Sequence, residues 1–135
     1  MNHGQMFTWR KSVGVLKTIP FKDGALLLTV KRFTQKYFEI LQPFTEVFNE
    51  AVVKYGKNNG IDPSMEGWKD FVEVVDKAGE VEVDWKIDPF LTDGAFTVAV
   101  GEGLTVNDLE VFEALGLFYP TKPVEKREKK TKKES

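Results

Sequence analysis

Residues 29–55, TVKRFTQKYFEILQPFTEVFNEAVVKY, carry the most regular pattern in the chain. Their apolar residues recur at spacings of three and four: Val30, Phe33, Tyr37, Ile40, Phe44, Val47, Ala51 and Tyr55. This spacing is that of an amphipathic helix with one buried stripe. Because the phase continues through Pro43, we predict one helix that is kinked where this proline removes the hydrogen bond to Glu39. Gly56 is expected to end the helix in a left-handed cap.

A second, shorter helix is predicted to begin at Asp62-Pro63. Asp is a favoured N-cap residue, and Pro is favoured at the first helical position because its missing N–H would have no partner there. Gly79 is expected to end this helix. Its predicted buried stripe consists of Met65, Trp68, Val72 and Val75, with Phe71 beside it.

The last helix is predicted over residues 106–115 and has the clearest start signal in the chain. Thr105 can accept a hydrogen bond from the backbone of Asp108, and the Asp108 carboxylate can reach back to Thr105. Gly116 is expected to close the helix. The sequence therefore predicts three helices, of which the first is the longest.

Residues 80–87 alternate strictly between apolar and charged side chains. Val81, Val83, Trp85 and Ile87 alternate with Glu80, Glu82, Asp84 and Lys86. Such a pattern is typical of a strand with one buried and one wet face. Phe96, Val98 and Val100 alternate in the same way, so we predict an antiparallel partner strand after a turn.

Residues 6–28 follow no clean period, and two interpretations stay open. The Asp23-Gly24 pair is typical of a hairpin turn, which favours two short strands flanking it. The alternative is an arm that docks on the domain and leads into the long helix. Residues 1–5 are short and polar, and we expect them to be disordered.

Together these elements predict an α+β fold. A long, kinked N-terminal helix and two shorter helices pack on a small antiparallel sheet. Residues 1–120 form the single domain, and residues 121–135 form a disordered, Lys-rich tail. The 135 residues, 41% of them hydrophobic, are enough to build a core without a disulfide or metal.

Composition restricts the chemistry. The chain has no Cys and one His, His3, which excludes thiolate and His-based catalytic sites and zinc sites. We therefore predict that the protein is not an enzyme, with no catalytic residue, no metal and no cofactor. No membrane span or secretory signal is visible, and we expect a cytoplasmic protein.

The charges divide unevenly along the chain. Residues 121–135 contain seven basic and three acidic residues, a net of +4, whereas residues 1–120 contain 12 basic and 18 acidic residues, a net of −6. A basic tail can attract nucleic acid or an acidic protein surface, or can simply keep the terminus solvated. Its candidate nucleic-acid contacts are Lys126, Arg127, Lys129, Lys130, Lys132 and Lys133.

Two groups of residues are candidate protein-binding positions. Phe38 and Phe48 lie outside the main apolar stripe of the long helix, and exposed aromatic residues there would mark an interface. The acidic strand face is formed by Glu80, Glu82 and Asp84 and could meet a basic partner. A solvated face is the plainer interpretation of these acids.

The order of these elements resembles a family of small tailed-bacteriophage proteins of unknown function. The resemblance covers residues 26–118. It is carried by Lys54-Tyr55-Gly56, Glu80-Val81-Glu82-Val83-Asp84 and Leu104-Thr105-Val106-Asn107-Asp108-Leu109. It implies a phage-encoded accessory protein without enzymatic residues. Such a protein would bind and modulate a host machine, or take part in building the virion.

The resulting functional hypotheses differ in their partner. The first is a protein that docks on a host or phage protein, for example as an inhibitor in host takeover. The second is a nucleic-acid accessory protein that uses the tail, and the third is a virion or assembly component that associates with itself. The sequence leaves the oligomeric state open.

Overall fold

The fold is helical. A computed structural model describes residues 1–96 and 101–120, except for the side chain of Asp93. The elements, in chain order, are α1 (His3–Thr18), α2 (Gly24–Tyr55), α3 (Trp68–Gly79), a short 3-10 helix (Asp93–Ala95) and α4 (Val106–Ala114). Within the described residues the β contacts are isolated bridges and no strand or sheet forms. The predicted α+β class with an antiparallel sheet is therefore wrong.

Helix α1 replaces both the disordered N-terminus and the strand pair that the sequence suggested. The Asn2 side chain accepts a hydrogen bond from the Gln5 backbone at 2.8 Å, and the Gln5 side chain accepts one from Asn2 N at 3.0 Å. This capping box satisfies N–H groups that a helix start otherwise leaves unpaired. Met6, Val13 and Leu16 are fully buried on one face of the helix, so residues 1–5 are ordered by the packing that follows them.

Helix α2 confirms the prediction of a single helix through Pro43, and it begins five residues earlier than the apolar pattern indicated. The Asp23 side chain accepts a hydrogen bond from Ala25 N at 2.9 Å. Asp23-Gly24 is therefore the start of a helix and not the turn of a hairpin. Gly56 ends α2 with a φ of −102°, so the predicted left-handed cap is wrong.

Helix α3 begins at Trp68, later than predicted. The Asp62 side chain accepts hydrogen bonds from the backbone N and the hydroxyl of Ser64, which holds residues 62–64 in a turn. An Asp followed by Pro is favoured both in a turn and at a helix N-cap, because in both the Asp side chain accepts a hydrogen bond from a nearby backbone N–H. For this reason the start of α3 was predicted too early. Gly79 ends α3, as predicted.

The predicted strand over residues 80–87 is not formed, and its single bridge joins Asn2 to Glu82. The alternation of burial persists only in part: Val83, Trp85 and Ile87 are half-buried against the core and the charged residues between them are exposed, but Val81, predicted on the same buried face, is 57% exposed. The Trp85 ring lies 5.2 Å from that of Phe33 on α2. Trp85 thus packs against a helix and not against a neighbouring strand. Of the predicted partner strand, Phe96 follows the 3-10 helix, while Val98 and Val100 lie outside the described residues.

Helix α1 lies at the centre of the core and contacts α2, α3 and α4. The largest fully buried side chains include Tyr37, Phe112 and Met6. The C-terminal part joins the core where the amides of Phe90 and Leu91 both donate to the Leu117 carbonyl at 2.8 Å. The first and last described segments of the chain therefore share one hydrophobic core.

Helix α4 confirms its predicted start. Asp108 N donates to the Thr105 hydroxyl, and Thr105 N donates to the Asp108 carboxylate, each at 3.0 Å. The same carboxylate accepts a hydrogen bond from the buried hydroxyl of Ser12 on α1 at 2.7 Å. One side chain therefore caps α4 and fastens it to α1. Gly116 follows with a φ of +78°, a conformation that glycine adopts without strain.

The buried hydroxyl of Tyr37 donates to the Met6 carbonyl at 2.6 Å and joins α2 to α1. Burial raises the pKa of Tyr37 well above its ordinary value of 10.0, and the positive charge of Arg10 opposes this only in part. The folded protein thus holds the neutral phenol, whereas the unfolded chain ionises near pH 10. The stability that the phenol contributes is complete below pH 10 and is lost as the pH rises above it.

We expect Tyr37→Phe to lower the free energy of unfolding by about 1 kcal/mol at pH 8, since one net hydrogen bond is lost. Above pH 10 the wild type should lose stability faster than the variant, which lacks the ionising group. Urea unfolding at pH 8, 10 and 11 measures both effects. Parallel pH profiles for the two proteins would contradict this account of Tyr37.

Candidate functional site

An open groove of about 820 Å³ runs along the N-terminal half of α2. Residues of α2 at helical spacing line it: Leu27, Lys31, Gln35, Phe38, Glu39 and Gln42. Lys17 and Ile19, at and just after the end of α1, add to its lining. The groove therefore combines an apolar strip with two lysines and one glutamate.

The residues at the bottom of the groove are buried, and their side-chain hydrogen bonds are made within the protein. Val30 and Thr34 are buried there, and the Thr34 hydroxyl donates to the carbonyls of Val30 at 3.0 Å and Lys31 at 3.1 Å. A hydroxyl that bonds back to its own helix does not need a partner from outside. Recognition in the groove must therefore come from the apolar side chains and the charges along it.

The apolar side chains of the groove reach solvent. Leu27 is 41% exposed, and its neighbour Leu28 on α2 is 49% exposed. Phe38 is half-buried, and its ring makes an edge contact with Tyr37 at a centroid distance of 5.5 Å. Leu27 and Phe38, both on α2, form the apolar strip of the groove, whereas Leu28 does not line it.

Phe48, the other aromatic candidate, lies elsewhere. Its ring centroid is 4.8 Å from that of Phe7 on α1 and 5.5 Å from that of Phe71 on α3. The structure therefore places Phe48 in the packing between three helices and does not bring it together with Phe38. A polar residue at position 48 is expected to weaken this packing.

The three acidic candidates are all exposed, but they do not share a strand face. Glu80 follows the end of α3, and its backbone N donates to the Asp76 carbonyl at 3.0 Å. Glu82 and Asp84 belong to the segment after it, and the Glu82 carboxylate lies 3.3 Å from the amine of Met1. The three acids are close in sequence, but Glu80 belongs to the end of α3, whereas Glu82 and Asp84 lie in the segment that follows it.

Charge is divided more unevenly between the first 36 residues and the rest of the domain than between residues 1–120 and the tail. Residues 1–36 contain seven basic residues and one acidic residue, whereas residues 37–120 contain five basic and 17 acidic residues. The groove crosses this division, with Lys17 and Lys31 on one side and Glu39 on the other. The division falls inside α2, so a count of charges by predicted domain does not reveal it.

Other site types find no support in the part of the chain that the structure describes. It contains no group of three or more His, Cys, Asp or Glu residues that could hold a metal ion. None of its helices combines the length and the apolar character needed to cross a membrane. The tail residues from Lys126 to Lys133, proposed as nucleic-acid contacts, lie outside the described residues.

Comparisons with protein-family models, with curated proteins and with solved structures give no match. The likeness to tailed-bacteriophage proteins consequently stays a prediction. The groove, with its apolar strip and its charges, is the feature of the described residues that indicates a binding function.

Proposed function

We propose that the protein is a non-enzymatic, phage-type accessory protein that acts in the cytoplasm by binding another protein, of the host or of the phage, through the α2 groove. The observation that supports this most is that Leu27 and Phe38, two partly exposed apolar side chains of α2, both line the groove. Apolar side chains at helical spacing beside a groove form the surface on which a partner helix docks.

Phe38 is the best position for a test because it lines the groove and is only half-buried. We expect Phe38→Gln, combined with Leu27→Gln, to abolish capture of a partner while the domain stays folded. The matched control is Val53→Gln, an exposed apolar residue (69%) on the same helix outside the groove. Thermal unfolding followed by circular dichroism verifies that all the variants are folded.

The measurement is capture from a bacterial lysate, followed by purification of the retained protein and titration against each variant. The proposal predicts a roughly stoichiometric protein that binds the wild type and Val53→Gln but not the groove variant. Equal binding to all the variants would place the interface elsewhere and contradict the proposal. Retention of nucleic acid alone, lost as salt rises, would instead assign binding to the Lys-rich tail.

Phe48 needs a separate test because of its ring contacts with Phe7 and Phe71. Phe48→Ser is expected to lower the free energy of unfolding by roughly 2–4 kcal/mol. A loss of capture in that variant would therefore not identify a binding residue.

A further inference from the structure

Two of the three charges that line the groove lie at equal distances from one residue of α2. Lys31 and Glu39 both line it, and Gln35, which also lines it, lies midway between them in sequence. At a rise of about 1.5 Å per residue, the two charged residues are separated by roughly 12 Å along the helix, too far to pair with each other. Neither makes an ion pair within 4.0 Å with any other described residue. Both charges are available to an occupant of the groove.

We propose that this occupant is helix α2 of a second copy of the chain, bound antiparallel about a twofold axis that passes near Gln35. The proposal rests on the proposed function, in which the groove binds protein, and it adds that a second copy occupies the groove when no host or phage partner is bound. An antiparallel helix reverses the order of charges that it presents. A helix with a basic residue before its midpoint and an acidic residue after it is therefore complementary to its own reversed copy.

The contacts follow from the register. Reversal about Gln35 brings Lys31 of each copy opposite Glu39 of the other, which forms two symmetric ion pairs. Gln35 meets its own equivalent, and because its amide can both donate and accept, the two can hydrogen-bond. Leu27 of each copy comes beside Gln42 of the other and is covered by it. No like charges within the groove are placed opposite one another.

The ends of the groove give a further match. In the same register, Glu46 of one copy comes opposite Gly24, at the N-terminus of α2 in the other. Lys17, which lines the groove, supplies the opposite charge for Glu46, because the N-terminus of α2 is already capped by the Asp23 carboxylate. Glu46 is exposed, one turn beyond Gln42, so it can reach this end. In this dimer the acidic C-terminal half of α2 of one copy lies against the basic residues 1–36 of the other.

Charge reversal tests the pairing directly. We expect the wild-type mass to rise toward that of a dimer with concentration in sedimentation equilibrium. Lys31→Glu or Glu39→Lys alone should weaken the dimer about tenfold or more, because two attractive pairs become repulsive. The double variant restores both pairs with reversed sign and should dimerise like the wild type. A mixture of the two single variants should form a heterodimer that is tighter than the homodimer of either variant.

The matched controls are Lys54→Glu and Glu50→Lys, which make the same charge changes on α2 outside the groove and should leave the dimer unchanged. A wild type that is monomeric at all concentrations would overturn the proposal, as would a double variant that is not rescued. If a monomeric wild type still captures a protein and Phe38→Gln abolishes that capture, only the proposed dimer is wrong and the proposed function stands. If the wild type is monomeric at all concentrations and Phe38→Gln does not change capture, both fail.

Discussion

Gly56→Ala is expected to lower the free energy of unfolding by about 3 kcal/mol or more, the range of severe overpacking. A Cβ at this position would lie 2.1 Å from the Gly60 carbonyl oxygen and 2.7 Å from the Val52 carbonyl oxygen. Both oxygens are fixed, because they accept hydrogen bonds from the backbone N of Lys57 and Gly56 respectively. Since the φ of −102° suits any residue, the effect would come from lack of space and not from backbone strain.

Gly14→Ala is the matched control for Gly56→Ala. Gly14 lies within α1, and a Cβ there would meet no atom within 4 Å. Alanine has the higher helix propensity, so this variant should gain about 0.5–1 kcal/mol. Urea unfolding monitored by circular dichroism compares the two variants with the wild type. A Gly56→Ala protein within 1 kcal/mol of the wild type would contradict the close packing after α2.

Asp108→Ala is expected to cost about 3 kcal/mol, because a single buried carboxylate serves two helices. The change removes the acceptor of the 2.7 Å hydrogen bond from Ser12 and leaves that hydroxyl buried without its partner. It also removes half of the capping box of α4, worth about 1 kcal/mol by itself. Unlike an exposed cap, Asp108 is only 7% exposed, so water cannot replace it.

A double-mutant cycle separates the two roles of Asp108. Ser12→Ala alone removes the interhelical hydrogen bond but keeps the capping box intact. The coupling free energy between Ser12→Ala and Asp108→Ala should be about 1–2 kcal/mol, within the range for residues in direct contact. Additive effects of the two changes would show that the α1–α4 hydrogen bond contributes no stability.

The sequence predicted elements whose signals are local and redundant. Helix α4 was placed correctly because Thr105 and Asp108 form a capping box that has one structural meaning. The body of α2 was placed correctly because its apolar period extends over many turns. These signals do not depend on what the rest of the chain does.

The wrong predictions have a common physical cause. A local sequence pattern indicates which side chains are buried or where the chain turns, but it does not indicate which element they pack against. Alternation after Glu80 correctly placed Val83, Trp85 and Ile87 against the core, but Val81 is exposed, and Trp85 packs on α2 rather than on a second strand. Asp23-Gly24 and Asp62-Pro63 each satisfy the rules for both a turn and a helix start, and the wrong alternative was favoured in each case. Helix α1 was missed because its apolar residues face several neighbours and obscure the period.

The candidate site was only partly accessible to sequence reasoning. Phe38 lines the groove, and its role in binding stays a prediction, whereas Phe48 has the same position relative to the apolar stripe but faces two neighbouring helices. That difference depends on where α1 and α3 lie, which the sequence did not reveal. Lys31 and Glu39 were overlooked although the signal was present, as opposite charges at equal distances from Gln35.

The position of Asp108 also determines when the protein can finish folding during synthesis. Its partner Ser12 is 96 positions earlier in the chain, so α1 is made long before the helix that completes its surroundings. A nascent chain that ends before α4 can pair α1 with α2, but it leaves apolar surface of α1 uncovered. Such a chain is exposed to aggregation until α4 emerges from the ribosome. Emergence of α4, and not formation of the first helices, is therefore the step that closes the core.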